Sequence, residues 1–124
     1  AAEQAQNMYN STKFTSDLIN SYAWDTAIIF IQKCTNQTNY ANQTSLNDSF
    51  LATGTSIDKQ CNIFDMASNV AEFPTETSNI SSNPCVYRGG YYSSTLGYTS
   101  LRDNCIISSS TPTLGFRPIL YLTI

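Results

Sequence analysis

The 124-residue sequence contains no histidine. The residues that remain as candidates for chemistry are four cysteines and a few carboxylates. Without histidine, neither a Ser-His nor a Cys-His nucleophile can be assembled. No two cysteines form a Cys-x-x-Cys pair, so their spacing does not predict a zinc site. Asp65 and Glu72 could act as an acid and a base, but nothing else in the sequence supports that chemistry. The cysteines are Cys34, Cys61, Cys85 and Cys105.

An even number of cysteines also permits disulfide bonds, with three pairings if all four take part. We expect Cys61 to pair with Cys85, because both flank the region in which strands are predicted. Five Asn-x-Ser/Thr sequences, together with disulfides, favour an extracellular, surface-displayed or virion-associated location. A chain this rich in Asn and Thr also contains such sequences by composition alone. They begin at Asn10, Asn36, Asn42, Asn47 and Asn79.

The charge and hydropathy of the chain argue against two classes of partner. The net charge is -3 with a pI near 4.5, and only six residues are basic. Arg88, Arg102 and Arg117 are too scattered to track a phosphate backbone, so no nucleic acid is expected as a partner. The longest apolar run, Ala27–Ile31, is much shorter than a segment that inserts into a bilayer.

The N-terminal part of the chain predicts two helices. Ala1–Tyr9 is rich in Ala and contains neither Gly nor Pro, and Ser16 can cap a second helix over Asp17–Lys33. Trp24 is expected to be a core anchor on the apolar stripe of that second helix. The stripe consists of Ile19, Ala23, Trp24, Ala27, Ile28 and Ile31.

From Cys61 onward the sequence predicts short strands, which gives an α+β domain covering residues 1–124. The polar stretch before it, Cys34–Ile57, is a connector in which Phe50 and Leu51 could form a short helix that stops at Gly54. The predicted strands are Asn62–Phe64, Glu72–Glu76, Cys85–Arg88 and Phe116–Ile124.

Three strings in this β region resemble motifs of the formylglycine-generating-enzyme, or sulfatase-modifying-factor, family. Phe64–Phe73 resembles the family's "D-M-x-G-N-V-x-E-W", Arg88–Tyr91 its "R-G-G", and Gly115–Arg117 its "G-F-R". Upstream, Tyr22–Asp25 resembles the helix that carries "E-W-E-Y-A". The resemblance implies a C-type lectin-like fold. The family's first strand would then lie upstream of Ala1, so this chain is expected to be the C-terminal part of a longer one.

Most residues of these strings are expected to be structural. Glu72 and Arg117 are charged residues between apolar neighbours, so we expect them to be semi-buried and paired, with each other or with Arg88. Gly89 and Gly90 suit a backbone that approaches another segment closely. The structural set is Trp24, Glu72, Arg88, Gly89, Gly90, Phe116 and Arg117.

The resemblance also implies a calcium site, because the positions of Asp65 and Glu72 hold calcium in some enzymes of the family. Carboxylate oxygens are suitable calcium ligands. Ser68 stands where the family has Gly, and this departure weighs against the site. No other cofactor is expected.

The same resemblance argues against enzymatic activity. Enzymes of the family use two closely spaced cysteines a few residues beyond "R-G-G", where thiolates bind copper and attack the substrate thiol. The corresponding stretch here, Tyr91–Thr99, contains no cysteine, and Cys105 is a single thiol further on.

A second resemblance is to the variable ligand-binding proteins of diversity-generating retroelements in phages and prokaryotes, which use this fold. Their variable residues lie between "R-G-G" and a closing "G-F-R-P-x-x-Y-L", which is Gly115–Leu122 here, so the corresponding segment is Tyr91–Leu114. Randomising the adenines of Asn codons cannot produce Lys, Glu, Gln, Met or Trp. The segment contains none of these five types, whereas the rest of the chain contains them all.

We therefore predict a recognition or adhesion module whose Tyr- and Ser-rich face binds a protein or glycan on a cell or virus surface. Two alternatives stay open, namely a degenerate formylglycine-generating-type enzyme and a structural subunit of a surface fibre. Tyr91, Leu101 and Arg102 are equally well explained as core residues. The predicted ligand-binding residues are Tyr92, Ser93, Ser94, Thr95, Leu96, Tyr98, Thr99, Asp103, Asn104, Ile106, Ile107 and Thr113.

Overall fold

The computed structural model describes residues 1–123 and has an α+β fold, as the sequence predicts. Two helices near the N-terminus are followed by short strands that form small sheets. A single 3-10 turn, Tyr40–Asn42, follows the second helix. The elements are α1 (Ala2–Met8), β1 (Phe14–Leu18), α2 (Ser21–Thr35), β2 (Lys59–Gln60), β3 (Ile63–Phe64), β4 (Ala71–Phe73), β5 (Cys85–Arg88), β6 (Arg102–Cys105), β7 (Leu114–Phe116) and β8 (Pro118–Leu122).

Strand β1 occupies the place where the sequence predicted the start of the second helix. Ser16 does not cap that helix, because its hydroxyl accepts the Tyr9 amide at 2.9 Å and donates to the Ala5 carbonyl at 2.6 Å. The helix begins later, at Ser21, where the side chain of Asn20 accepts the Ala23 amide at 2.8 Å. Pairing with β8 therefore outweighs the local helical pattern of the residues before Asn20.

The predicted closing strand, Phe116–Ile124, is divided in the structure. Phe116 belongs to β7, whereas β8 pairs antiparallel with β1, from Pro118 opposite Leu18 to Leu122 opposite Phe14. Between the two strands, the Arg117 carbonyl accepts the Ile19 amide at 2.9 Å. The chain changes sheets at this point, and Ile124 lies outside the described residues.

The largest sheet has the strand order β6-β5-β4-β7, and it joins the three strings singled out in the sequence. Glu72 of β4 lies opposite Arg88 of the antiparallel β5 and opposite Gly115 of the parallel β7. The prediction for β5 is confirmed, while β4 ends at Phe73, before Pro74, and not at Glu76. Strand β6 was not predicted.

The core packs around α2, against Ile19, Tyr40, Met66 and Ala67, and Trp24 belongs to it, as predicted. The Trp24 side chain is fully buried, and its indole N–H donates to the Thr99 carbonyl at 2.9 Å. Next to it, the buried Asp58 accepts the Tyr40 hydroxyl at 2.8 Å and the Ala67 amide at 2.7 Å. Burial raises the pKa of the Asp58 carboxyl. The fully buried core residues include Trp24, Ile31 and Met66.

No helix forms at Phe50–Gly54, although the sequence there permits a short one. Gly54 adopts φ +79°, and its amide donates to the Asp65 carboxylate at 2.8 Å, so a long-range contact holds this segment as a turn. Among residues 1–123, no helix has the length and apolar character required to cross a membrane.

Candidate ligand-binding surface

The predicted variable segment, Tyr91–Leu114, starts at a place where the backbone meets the core. A Cβ atom on Gly90 would lie 2.4 Å from the Ala67 carbonyl oxygen, and one on Gly89 would lie 2.8 Å from the Trp24 ring. Gly89 also has φ +81°. Both glycines are therefore required by close approach, which is the structural role predicted for them.

Two residues predicted to bind ligand, Ser94 and Thr99, are instead buried. The Ser94 hydroxyl accepts the Gly97 amide at 2.7 Å. The Thr99 amide donates to the Gln43 carbonyl at 3.0 Å, and the Thr99 carbonyl accepts the indole of Trp24. Both residues hold the segment in its conformation, and their burial removes them from the contact surface.

A second loop, residues 44–50, lies beside the start of the variable segment. The Ser93 amide donates to the Asn47 carbonyl at 2.8 Å, and Tyr98 forms a β-bridge with Thr44. The rings of Phe50 and Tyr92 pack edge to face with their centroids 6.3 Å apart. The two loops are therefore joined by both main-chain hydrogen bonds and side-chain packing.

These adjacent loops expose apolar side chains from both sides of their junction. Leu96 is 85% exposed and Phe50 is 61% exposed, while Leu46 and Tyr98 are also open to solvent. Clusters of exposed apolar residues within a polar rim are typical of interaction sites. We call this cluster the two-loop surface, and it consists of Leu46, Phe50, Tyr92, Ser93, Thr95, Leu96 and Tyr98.

Sequence reasoning missed Leu46 and Phe50, because residues 34–57 have little apolar periodicity. The signal that could have identified them is the presence of large apolar side chains in an otherwise polar connector. Such residues need either a core position or a partner. The structure places neither side chain in the core.

Ile106 and Ile107 do not join the two-loop surface. Strands β5 and β6 are antiparallel, so Ile106 and Ile107 follow β6 at the end where β5 begins, next to Cys85. A four-residue strand is roughly 13 Å long. Ile107, which is 82% exposed, lies at a cleft of about 680 Å³ near α1 and Pro84.

Asp103 and Asn104 lie on β6, and Thr113 directly precedes β7. The Asp103 carboxylate accepts the Tyr87 hydroxyl at 2.9 Å, and burial, followed by this hydrogen bond, raises the pKa of Tyr87 to about 12. Asn104 and Thr113 line a small cleft of about 230 Å³ together with Tyr91. The predicted single binding face is therefore divided, because the unpredicted strand β6 carries Ile106 and Ile107 to the other end of the sheet.

Glu72 and Arg117 pair with each other, which is one of the two pairings that the sequence left open. The guanidinium donates to the two carboxylate oxygens at 2.7 and 2.9 Å, and it also donates to the Phe64 carbonyl at 2.8 Å. Burial raises the pKa of the Glu72 carboxyl, and the Arg117 charge opposes this effect. Arg88 pairs with Asp25 of α2 and not with Glu72.

The carboxylates proposed as calcium ligands do not fit that role. Asp65 accepts hydrogen bonds from the Ser56 hydroxyl and the Gly54 amide, and both Glu72 oxygens are bound by Arg117. Their lone pairs are thus directed at protein donors, not at a common point for a cation. Within residues 1–123 no cluster of three or more His, Cys, Asp or Glu side chains is placed to hold a metal ion.

The cysteines are close to partners other than the expected ones. Cys85 of β5 lies opposite Cys105 of β6. The Cys34 thiol is a neighbour of the Cys61 thiol and, after desolvation, contributes to its raised pKa. The expected Cys61–Cys85 pairing was therefore wrong, because the sheet register gives Cys85 a different neighbour.

The architecture is similar to that in the crystal structure of CarF. The two share 15% sequence identity with a TM-score of 0.70, over 89% of this chain. The chain spans about half of the length of that protein, 48%. At this level of identity the likeness shows the fold alone. No protein-family model and no curated protein sequence matches the chain.

Proposed function

We propose that this chain is a ligand-binding module and that the two-loop surface is its contact site. The observation that carries the proposal is the exposure of Leu46, Phe50, Leu96 and Tyr98 on loops whose backbones are tied together and to the core. Exposed apolar side chains weaken solubility unless a partner covers them. A protein or glycan ligand would cover them here.

The two-loop surface combines features that favour binding without a large entropic cost. Ser93 and Thr95 offer hydroxyl groups beside the rings of Tyr92 and Phe50, as in antibody paratopes, where aromatic anchors alternate with small polar residues. The hydrogen bonds of Thr99 and Ser94 fix the loop beneath them. A surface fixed in advance loses less conformational entropy when it binds.

We further propose that the fold is of the C-type lectin-like, sulfatase-modifying-factor type. This is supported by the way in which the three motif strings come together, since Glu72 lies opposite both Arg88 and Gly115 and its carboxylate binds Arg117. Strings that are far apart in sequence but form one sheet behave as a shared scaffold. The segment Tyr91–Leu114 is inserted into this scaffold, which is the place where retroelement-diversified proteins vary.

A non-enzymatic role is part of the proposal. The stretch Tyr91–Thr99, where the resembling enzymes carry two cysteines, contains none, and Ser94 and Thr99 in that stretch serve the backbone. We propose that the chain acts outside the cell, displayed on a cell surface or a virion, where a variable contact surface would meet its ligand.

Binding is tested on a printed glycan array and on an array of purified extracellular protein domains. The wild-type chain should bind at least one member saturably, and Phe50→Asp and Leu96→Asp should each weaken that binding about 10-fold or more, because each places a charge in the contact area. Ile107→Asp is the matched control: it is equally exposed but lies at the other end of β5 and β6, and it should leave binding unchanged.

Two results would contradict the proposal. The first is binding that survives both loop substitutions, and the second is an absence of binding on both arrays. Concentration-dependent self-association that Phe50→Asp or Leu96→Asp abolishes would instead favour the structural subunit of a fibre. Aldehyde formation on a cysteine-containing sulfatase peptide in the presence of copper would favour the degenerate enzyme.

The proposed diversification has a separate genetic test. The region downstream of the gene should contain a near-copy of the sequence that encodes Tyr91–Leu122, next to a reverse transcriptase. Sibling loci should differ mainly within Tyr91–Leu114. Substitutions that occur as often outside this segment as inside it would contradict diversification and leave the binding proposal intact.

A further inference from the structure

We propose that the four cysteines are two disulfide sites, Cys34–Cys61 and Cys85–Cys105, which small-molecule disulfides such as oxidised glutathione convert to cystines. The proposal rests on the positions of the thiols and does not depend on the ligand or on the two-loop surface.

The first site joins β6, an edge strand of the main sheet, to its inner neighbour β5. Cys85 and Cys105 lie directly opposite each other in the antiparallel pair of β5 and β6. Opposite residues in such a pair have Cα atoms about 4.5–5.5 Å apart. This separation falls within the range of about 4.4–6.8 Å that a disulfide requires. The side chains of Cys85 and Cys105 project from the same face of the sheet, because directly opposite residues of an antiparallel pair do so.

The second site joins helix α2 to the β2–β3 hairpin. Cys34 lies in the last turn of α2, and Cys61 lies in the turn between β2 and β3 with φ +51°. Next to them, the Gln37 side chain donates to the Gln60 side chain at 3.0 Å, which holds the helix end against the hairpin. The thiols of Cys34 and Cys61 are neighbours, since the Cys34 thiol contributes, after desolvation, to the raised pKa of the Cys61 thiol, and both residues are exposed.

Each bond can form by two exchange steps that balance in atoms and electrons. A thiolate of the pair attacks one sulfur of oxidised glutathione, which releases one glutathione thiol and leaves a mixed disulfide. The second thiolate then attacks the protein sulfur of that mixed disulfide and releases the second glutathione. The two cysteine sulfurs lose two electrons and two protons, and oxidised glutathione takes them up as two thiols. A neighbouring thiol makes the second step intramolecular, so it outcompetes hydrolysis or exchange with bulk thiols.

The two bonds would have different consequences. The Cys85–Cys105 bond would close a covalent ring that contains Tyr92 to Tyr98, and thus the variable half of the two-loop surface. The Cys34–Cys61 bond would fix the C-terminal end of α2 and close a ring that contains Leu46 and Phe50, the other half of that surface. Each bond would therefore restrain one of the two loops.

Peptide mapping tests the pairing. The full chain is incubated with oxidised glutathione, its remaining thiols are blocked with iodoacetamide under denaturing conditions, and it is digested with trypsin and a glutamyl endopeptidase. Cleavage next to basic and glutamate residues separates all four cysteines, including Cys61 from Cys85. These cleavage sites are Lys33, Lys59, Glu72, Glu76, Arg88 and Arg102.

The expected products are one linked pair of peptides with Cys34 and Cys61 and another with Cys85 and Cys105. The oxidised chain should be lighter than the reduced chain by about 4 Da, the mass of four hydrogens lost in two such exchanges. Its melting temperature should rise by about 5 °C or more. A Cys61–Cys85 link, four alkylated thiols, or glutathione retained on every cysteine would each overturn the proposal.

Paired variants test whether the two sites are independent. In Cys34→Ser/Cys61→Ser the Cys85–Cys105 link should still form, and in Cys85→Ser/Cys105→Ser the other link should still form. The single variant Cys105→Ser should leave Cys85 as a mixed disulfide with glutathione. If Cys85 pairs with Cys61 in that variant, the proximity that carries the proposal is wrong.

Discussion

Arg117 binds both carboxylate oxygens of the buried Glu72 and, with the same guanidinium, the carbonyl of Phe64. The arginine lies between β7 and β8, and Glu72 is on β4, so this contact ties the strand that changes sheets to the centre of the main sheet. The guanidinium also lies 5.8 Å from the centre of the Trp24 ring. One ion pair thus connects the two sheets and the core helix.

Loss of this ion pair should destabilise the protein strongly. Glu72→Gln leaves the Arg117 charge without its partner in a largely buried site, and removal of one partner from a buried pair costs about 3–5 kcal/mol. Because Arg117 is partly exposed, we expect about 3 kcal/mol in the free energy of unfolding, measured by urea denaturation. The matched control is Arg102→Gln, which breaks the exposed pair with Glu76 and should cost about 1 kcal/mol or less. Equal losses in the two variants would contradict the structural role of Glu72.

Trp24 should affect the conformational order of the variable segment around Thr99 as well as the stability of the protein. Trp24→Phe keeps an aromatic ring in the core but leaves the Thr99 carbonyl without its donor, which costs about 1–3 kcal/mol. Because the same residue, Thr99, anchors the loop to Gln43, its amide should exchange hydrogen faster in the variant. Hydrogen exchange with mass spectrometry checks this. Tyr22→Phe, on the exposed side of the same helix, should change neither stability nor exchange.

Gly90 should tolerate no side chain. The methyl group of Gly90→Ala would have to fit 2.4 Å from the Ala67 carbonyl oxygen, so the backbone must move, and we expect a loss of about 3 kcal/mol or more. The comparison is Gly54→Ala, where the added carbon meets only the Phe64 ring at 3.5 Å. There the positive φ alone should cost about 1–2 kcal/mol. Thermal unfolding measures both, and a smaller loss for Gly90→Ala than for Gly54→Ala would contradict the packing described.

The neutral Tyr87 side chain should contribute to the stability of the folded protein, and this contribution should disappear at high pH. Its pKa is raised to about 12 by burial and then by the Asp103 carboxylate. Because the folded pKa exceeds the unfolded value of about 10, this stability is fully present below pH ~10 and is lost as pH rises through about 12. Asp103→Asn removes the charge and should lower the pKa of Tyr87, which a tyrosinate absorbance titration measures by difference against Tyr87→Phe. An unchanged pKa in Asp103→Asn would show that the hydrogen bond has no effect.

The sequence located those features that depend on a few neighbouring residues. The strand Cys85–Arg88 and the burial of Trp24 follow from local apolar patterns, and the Glu72–Arg117 pairing follows from charges placed between apolar neighbours. The predicted start of the second helix was wrong. Ser16 and Asp17 have the residue types of a good helix cap, but their side chains and backbone make other contacts. Local propensity cannot register that β8, about a hundred residues away, pairs with them.

In the candidate site, too, some features follow from neighbouring residues and others only from contacts between distant ones. The chain itself determined that Tyr91–Leu114 is rich in tyrosine, serine and threonine and is bounded by Arg88-Gly89-Gly90 and Gly115-Phe116-Arg117. Only the tertiary structure decided which of its residues face solvent. Ser94 and Thr99, for example, are buried and form hydrogen bonds with backbone groups. It also brought Phe50 beside Tyr92 and Cys85 opposite Cys105. These contacts join residues far apart in the chain, and their geometry depends on strand register and loop packing, which no short stretch of sequence encodes.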